Sequence, residues 1–130
     1  PCQLVKVPLD ANARHDLDAM LAAITDRTRL LFIANPNNPT GTIVSDQRLR
    51  AFLAAIPSHV TVVLDEAYYE FAAGQPDYSS AVDLVREGFN VIGLRTFSKA
   101  YGLAGIRIGY GFASERVVDA YHRVREPFNV

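Results

Sequence analysis

Three short runs, at residues 30–34, 60–64 and 91–94, are apolar and rich in β-branched side chains, with almost no polar alternation. A strand with one wet face alternates apolar and polar residues. A near-continuous apolar strand is buried on both faces, and such strands belong to parallel sheets covered by helices. The segments between and beyond them have a different period. Leu17, Met20, Leu21 and Ile24 are spaced i, i+3, i+4, i+7, as are Leu49, Phe52, Leu53 and Ile56, and again Val117, Ala120, Tyr121 and Val124. Each set makes a one-sided apolar stripe, which predicts amphipathic helices over 16–24, 45–56 and 114–124. Ser45 and Ser114 are expected N-caps, with Asp46 and Glu115 near the positive end of each helix dipole, and Pro57 closes the second helix. A further short helix is expected over 79–87, ending at Gly88, and further strands over 4–8 and 106–112. Alternation of the two periods defines an α/β domain: a three-layer, mostly parallel sheet with helices on both faces. The link from the 91–94 strand to Ile106 is too short for a crossover helix, so the last strand is expected to run antiparallel.

A chain of 130 residues fits one domain and can bury roughly two-thirds of its unfolded surface. Thirteen basic and fourteen acidic side chains leave a net charge of −1, with no basic stripe to argue for nucleic acid. No apolar run reaches the ~18 residues of a membrane span. The start lacks the layout of a signal peptide, and the lone Cys2 makes no internal disulfide. A cytoplasmic setting is the expectation, with no membrane or nucleic-acid partner and no metal site.

In open α/β sheets, ligands sit beyond the carboxyl ends of the strands. After the first apolar run comes Asn35-Pro36-Asn37-Asn38-Pro39-Thr40-Gly41. After the second comes Asp65-Glu66-Ala67-Tyr68-Tyr69. After the third come Thr96-Phe97-Ser98-Lys99, then Gly102, Gly105 and Arg107. If these strands are parallel, one edge gathers an amide, a carboxylate, a phenol, two hydroxyls, an amine and a guanidinium. Each cluster alone reads as an ordinary turn or loop start, and Lys6 reads as a solvated side chain. The joint occurrence, one cluster per strand in one orientation, points to a site. Only two lysines are present, Lys6 and Lys99, so any amine chemistry falls on one of them.

Competing readings fail on their own requirements. The acidic strand end Val62-Val63-Leu64-Asp65-Glu66 suits a nucleotide hydrolase, but the G-x-x-x-x-G-K-[ST] loop is missing from the sequence. Gly109-Tyr110-Gly111 opens a dinucleotide fingerprint whose third position is Ser114 rather than glycine. His15, His59 and His122 show no partner spacing.

Asn38-Pro39-Thr40-Gly41, Asp65-Glu66-Ala67-Tyr68 and Ser98-Lys99 followed by Arg107 resemble the pyridoxal-phosphate aminotransferases of fold type I. The stretch from Leu94 to Gly105, and the ending Pro127-Phe128-Asn129-Val130, are similar more narrowly to the histidinol-phosphate aminotransferases. The resemblance runs the length of the chain, and its motifs follow the family pattern without departure.

The resemblance implies pyridoxal 5′-phosphate as cofactor. It implies Lys99 as the amine that joins the cofactor aldehyde and later shuttles a proton between Cα and C4′. Asp65 would pair with the pyridine nitrogen and keep it protonated. Asn38 and Tyr68 would hydrogen-bond the ring oxygen O3′. Thr96, Ser98 and Arg107 would hold the phosphate, for which a forked guanidinium suits a dianion. The implied reaction converts histidinol phosphate and 2-oxoglutarate to imidazole acetol phosphate and glutamate, with aromatic amino acids as the alternative donors. The remaining alternative is a non-catalytic α/β fragment that keeps the fold motifs. The resemblance further implies a homodimer acting on small amino and keto acids. It places residues 1–130 as the central segment of the cofactor-binding large domain, without the small domain, so that alone the chain would bind cofactor weakly.

Overall fold

The computed structural model describes residues 2–128; Asn129 and Val130 of the ending quoted above lie outside the described residues. The elements run α1 (Leu17–Ala22), β1 (Leu30–Ala34), α2 (Asp46–Ala55), β2 (Thr61–Asp65), α3 (Tyr69–Ala72), α4 (Ala81–Arg86), β3 (Val91–Thr96), β4 (Gly109–Phe112) and α5 (Glu115–His122), with a 3-10 turn at Ala104–Ile106 before β4. The sheet order is β1-β2-β3-β4. β1, β2 and β3 are mutually parallel and β4 pairs antiparallel with β3, as the short 96–106 link requires.

Register sets which side chains share a face. Leu31 pairs with Val62 and Ile33 with Leu64, while Val62 pairs with Val91 and Leu64 with Gly93. These positions form one apolar face, and Leu17 of α1, Leu49, Phe52 and Leu53 of α2, and Leu84 of α4 join them in a single core cluster. The helical stripes predicted for 16–24 and 45–56 are the faces that α1 and α2 turn to the core, and the short helix expected over 79–87 is α4, which buries Ala81 and Leu84. The central strand β2 is buried at Val62, Val63 and Leu64, hence on both faces, whereas β1 leaves Leu30 and Phe32 53% and 62% exposed.

Gly93 shows how tightly the core face is filled. A Cβ at this position would collide with the Phe112 ring and lie 2.9 Å from the Ala81 Cβ, so α4 and β4 close over β3 only because no side chain intervenes. Gly93→Ala is expected to cost about 1–3 kcal/mol, the range for overpacking a filled core. Urea unfolding of the variant against wild type measures it, and an unchanged midpoint would show that Phe112 swings clear at no cost.

Several local expectations are corrected. Residues 4–8 form no strand. They make no ladder, Leu4 and Val5 are exposed, and the nearest pairing is a single bridge between Leu9 and His15. An extended segment is stable only beside another strand, and here it has none. The 106–112 strand begins later, at Gly109, because Ile106 closes the 3-10 turn and Arg107 follows in the left-handed conformation, φ 60°. Ser45 and Ser114 stand at the N-cap positions, but their side chains make no capping bond. The capping side chains are Asp16, accepting from the Ala19 amide, and Ser80, accepting from the Val82 amide. The apolar stripe of α5 is real, yet none of its residues is buried, and Tyr121 stays 57% exposed. The one-turn helix α3 has too few residues to show a period.

Candidate functional site

The three parallel strands end together, and each hands its chain to one of the polar clusters. Beyond β1, the buried Asn35 accepts from the Val44 amide through Oδ1 at 2.9 Å and donates through Nδ2 to the Val44 carbonyl at 3.5 Å. Residues 36–43 are thereby pinned at their base as an out-and-back loop. Inside it, the Gly41 amide donates to the Asn37 carbonyl at 2.8 Å, with Gly41 at φ 69°, a conformation glycine adopts without penalty. Asn38 stands on this loop, exposed, and its Nδ2 donates to the Tyr68 hydroxyl at 3.2 Å. Peptide bonds Asn35-Pro36 and Asn38-Pro39 are both cis.

At the end of β2, Asp65 is exposed and its Oδ1 accepts from the Ala67 amide at 3.0 Å. Among the described residues it makes no ion pair, so its charge faces the site without a cation. That turn leads to Tyr68 at the start of α3, and the Lys99 Nζ lies 5.3 Å from the Tyr68 ring centroid. Lys99 likewise makes no ion pair among the described residues.

At the end of β3, the Thr96 hydroxyl donates to Ser98 Oγ at 3.0 Å and accepts from the Ser98 amide at 3.1 Å. The Phe97 amide donates to the Ile108 carbonyl and the Leu103 amide to the Phe97 carbonyl, which ties the 97–103 loop to the segment carrying Arg107. The Arg107 guanidinium itself donates to the Ala104 carbonyl at 2.7 Å. Contacts therefore join Asn38, Tyr68 and Lys99 as one group and Thr96 and Ser98 as another. Asp65 is held in its own turn, and Arg107 is one residue from the carbonyl that receives the Phe97 amide. A cleft of about 280 Å³ adjoins the Asn38–Tyr68 bond and is also lined by Pro36, Pro39, Phe71 and Gln75.

Directly beneath this surface lies a polar layer that the sequence reading did not single out. Glu66, 2% exposed, accepts from Arg95 Nε through Oε2 at 2.9 Å, and through Oε1 from the Ala81 amide and the Tyr78 hydroxyl, both at 2.8 Å. The Tyr78 hydroxyl is also 2.9 Å from the Asn35 carbonyl, which shares its proton. Arg95 donates to Ser80 Oγ at 2.8 Å, and its guanidinium carbon sits 3.4 Å from the Tyr69 ring centroid. Burial, followed by the Glu66 carboxylate, pushes the Tyr78 phenol well above its usual range, so it stays a donor. Burial works against the charge on Arg95, but the hydrogen bond and charge of Glu66 outweigh it and raise its pKa. One signal in the sequence could have found the pair. Strand alternation turns Glu66 away from Asp65 and Arg95 away from Thr96, onto the covered face, where opposite charges need each other.

The carboxyl ends of the three parallel strands thus present a lysine, a carboxylate, a phenol and paired hydroxyls along one edge of an α/β sheet. The family model for aminotransferase class I and II matches residues 1–130, and the chain belongs to that family. It is 56% identical over 126 residues to an aromatic amino acid aminotransferase from Rhodococcus erythropolis, covering 97% of this chain and 34% of that protein. It is 55% identical over 126 residues to a histidinol-phosphate aminotransferase from Akkermansia muciniphila, with the same coverage, 97% and 34%. The fold superposes with a TM-score of 0.83 on the crystal structure of histidinol-phosphate aminotransferase from Sinorhizobium meliloti in complex with pyridoxal-5′-phosphate, at 41% identity over 95% of this chain and 33% of that one. The chain thus spans about a third of the length of the curated relatives it matches. Among the described residues, no helix is long and apolar enough to cross a membrane.

Proposed function

We propose that this chain is the central segment of the large domain of a pyridoxal-phosphate-dependent aminotransferase that moves the amino group of histidinol phosphate to 2-oxoglutarate. The products are imidazole acetol phosphate and glutamate. The observation that carries the reading is that one sheet edge holds the contacts joining Lys99, Tyr68 and Asn38, a Thr96–Ser98 hydroxyl pair, and an Asp65 that makes no ion pair among the described residues. A longer, homodimeric, cytoplasmic protein completes the proposal, resting on the family resemblance.

The donor set fits the cofactor chemically. When bound, the cofactor supplies an electrophilic aldehyde carbon and a pyridine ring able to take up carbanion charge. Lys99 Nζ would hold the cofactor and take up the proton released from the substrate Cα. The Asp65 carboxylate would accept the N–H of the pyridine nitrogen and keep that proton in place. Tyr68 and Asn38, already hydrogen-bonded to each other, orient the ring oxygen O3′. Thr96, Ser98 and Arg107 would bind the phosphate.

Reduction of the cofactor-loaded full-length protein with borohydride, followed by peptide mapping, tests the reading. The label is expected on Lys99. A label on Lys6, or none, overturns it. An aromatic amino donor is the second reading, favoured by the 56% identity to the Rhodococcus erythropolis aromatic enzyme. The ratio of kcat/KM for histidinol phosphate to that for phenylalanine decides between them.

A further inference from the structure

We propose that Glu66, Arg95 and Tyr78 are positioning residues: a buried polar layer that sets the spacing between the three site clusters. The inference rests on the cofactor reading above. Each strand end carries one cluster at the surface and, beneath it, a residue that belongs to this layer or is bonded to it. Asn35 anchors the loop that carries Asn38. Glu66 follows Asp65 directly. Arg95 precedes Thr96 directly and stands four residues before Lys99.

The layer connects all three. The Tyr78 hydroxyl bridges the Asn35 carbonyl at the β1 end and Glu66 Oε1 at the β2 end. Glu66 Oε2 takes Arg95 Nε at the β3 end. The backbone on either side of Asp65 is fixed as well, since its carbonyl accepts from the Asn35 amide at 3.0 Å and the Glu66 amide donates to the Leu94 carbonyl at 2.8 Å. Arg95 also lies against the Tyr69 ring, the neighbour of Tyr68. None of these three side chains has a chemical role in the proposed reaction, yet their bonds run across the strand ends rather than within one element. A buried ion pair adds little net stability compared with an apolar pair of the same shape, whereas it accepts only one geometry. Function at the surface depends on that geometry, because a displacement of ~1 Å in a reacting group costs up to about 100-fold in rate.

The test uses the full-length protein with pyridoxal 5′-phosphate as the probe. Tyr78→Phe removes one hydroxyl and keeps the ring, and Arg95→Lys keeps the charge but cannot bond Glu66 and Ser80 in the same forked geometry. Leu84→Ala, a core cavity in α4, serves as the purely structural control. Three quantities are read: the melting temperature of the apoprotein, the cofactor dissociation constant, and the pH midpoint of the bound cofactor's visible absorbance. Tyr78→Phe and Arg95→Lys are expected to raise the dissociation constant about 5-fold or more and to move the pH midpoint, while Leu84→Ala lowers the melting temperature and moves neither. Wild-type affinity and midpoint in both site-layer variants, or an equal loss of affinity in Leu84→Ala, overturns the inference while leaving the cofactor reading intact. A wild-type protein that gives no visible band overturns the cofactor reading, and this inference with it.

Discussion

Asp65→Asn in the full-length protein is expected to keep the cofactor bound and to lower kcat by about three orders of magnitude or more. The amide has the size of the carboxylate and can still accept the Ala67 amide bond that shapes the turn, so the backbone of the site has no reason to move. What it loses is charge. Among the described residues Asp65 forms no ion pair, so its negative charge is available to hold a proton on a ring nitrogen. A neutral amide does not stabilise that cation, and the ring then withdraws electrons poorly from the bond being broken. Each ~1.4 kcal/mol lost from this stabilisation is a factor of ten in rate. Single-turnover absorbance changes separate chemistry from binding. Near-normal transamination by the variant would remove Asp65 from its proposed role.

Glu66→Ala should produce the largest loss of stability of any single change at this edge, about 3–5 kcal/mol, as when one member of a buried pair is removed. Arg95 would keep its charge with its side chain only 12% exposed and no carboxylate beside it. The Ala81 amide would lose its acceptor, and the Tyr78 hydroxyl one of its two. Urea unfolding of the apoprotein measures the effect. Replacing both charges at once, with Glu66→Met and Arg95→Met, should recover most of that loss, because an apolar pair of similar volume carries no desolvation cost. A double variant as unstable as Glu66→Ala would mean that the hydrogen bonds to Ala81 and Tyr78, rather than the unpaired charge, dominate.

The two predictions concern neighbouring residues that differ greatly in how readable they were. Asp65 lies in a cluster after an apolar strand, and its side chain is polar where a ligand would come. Glu66 reads in sequence as one more loop carboxylate. Its role depends on Arg95, 29 positions away, and on Tyr78 and Ala81 arriving from the α3–α4 region. No local pattern announces that meeting. The same holds for failures in the other direction. Residues 4–8 carry a plausible strand composition, but strand formation needs a ladder partner, and composition says nothing of whether one is adjacent. The stripe on α5 is correctly periodic, but periodicity marks a face able to be buried, without saying what covers it.

The alternation of three apolar strands with helices, the parallel pairing of β1, β2 and β3, the antiparallel turn of β4 and the placement of Asn38, Asp65, Tyr68, Thr96, Ser98 and Lys99 at or just after strand ends were legible from the chain itself. They follow from apolar periodicity and from link length, which are local quantities along one chain. Tertiary structure alone decided the rest. It selected which capping side chains bond, where β4 begins once Arg107 turns left-handed, and how Glu66, Arg95, Tyr78 and Asn35 close a network beneath the site. Those outcomes depend on desolvation and distance between groups far apart in sequence, and both quantities exist only after the sheet has formed.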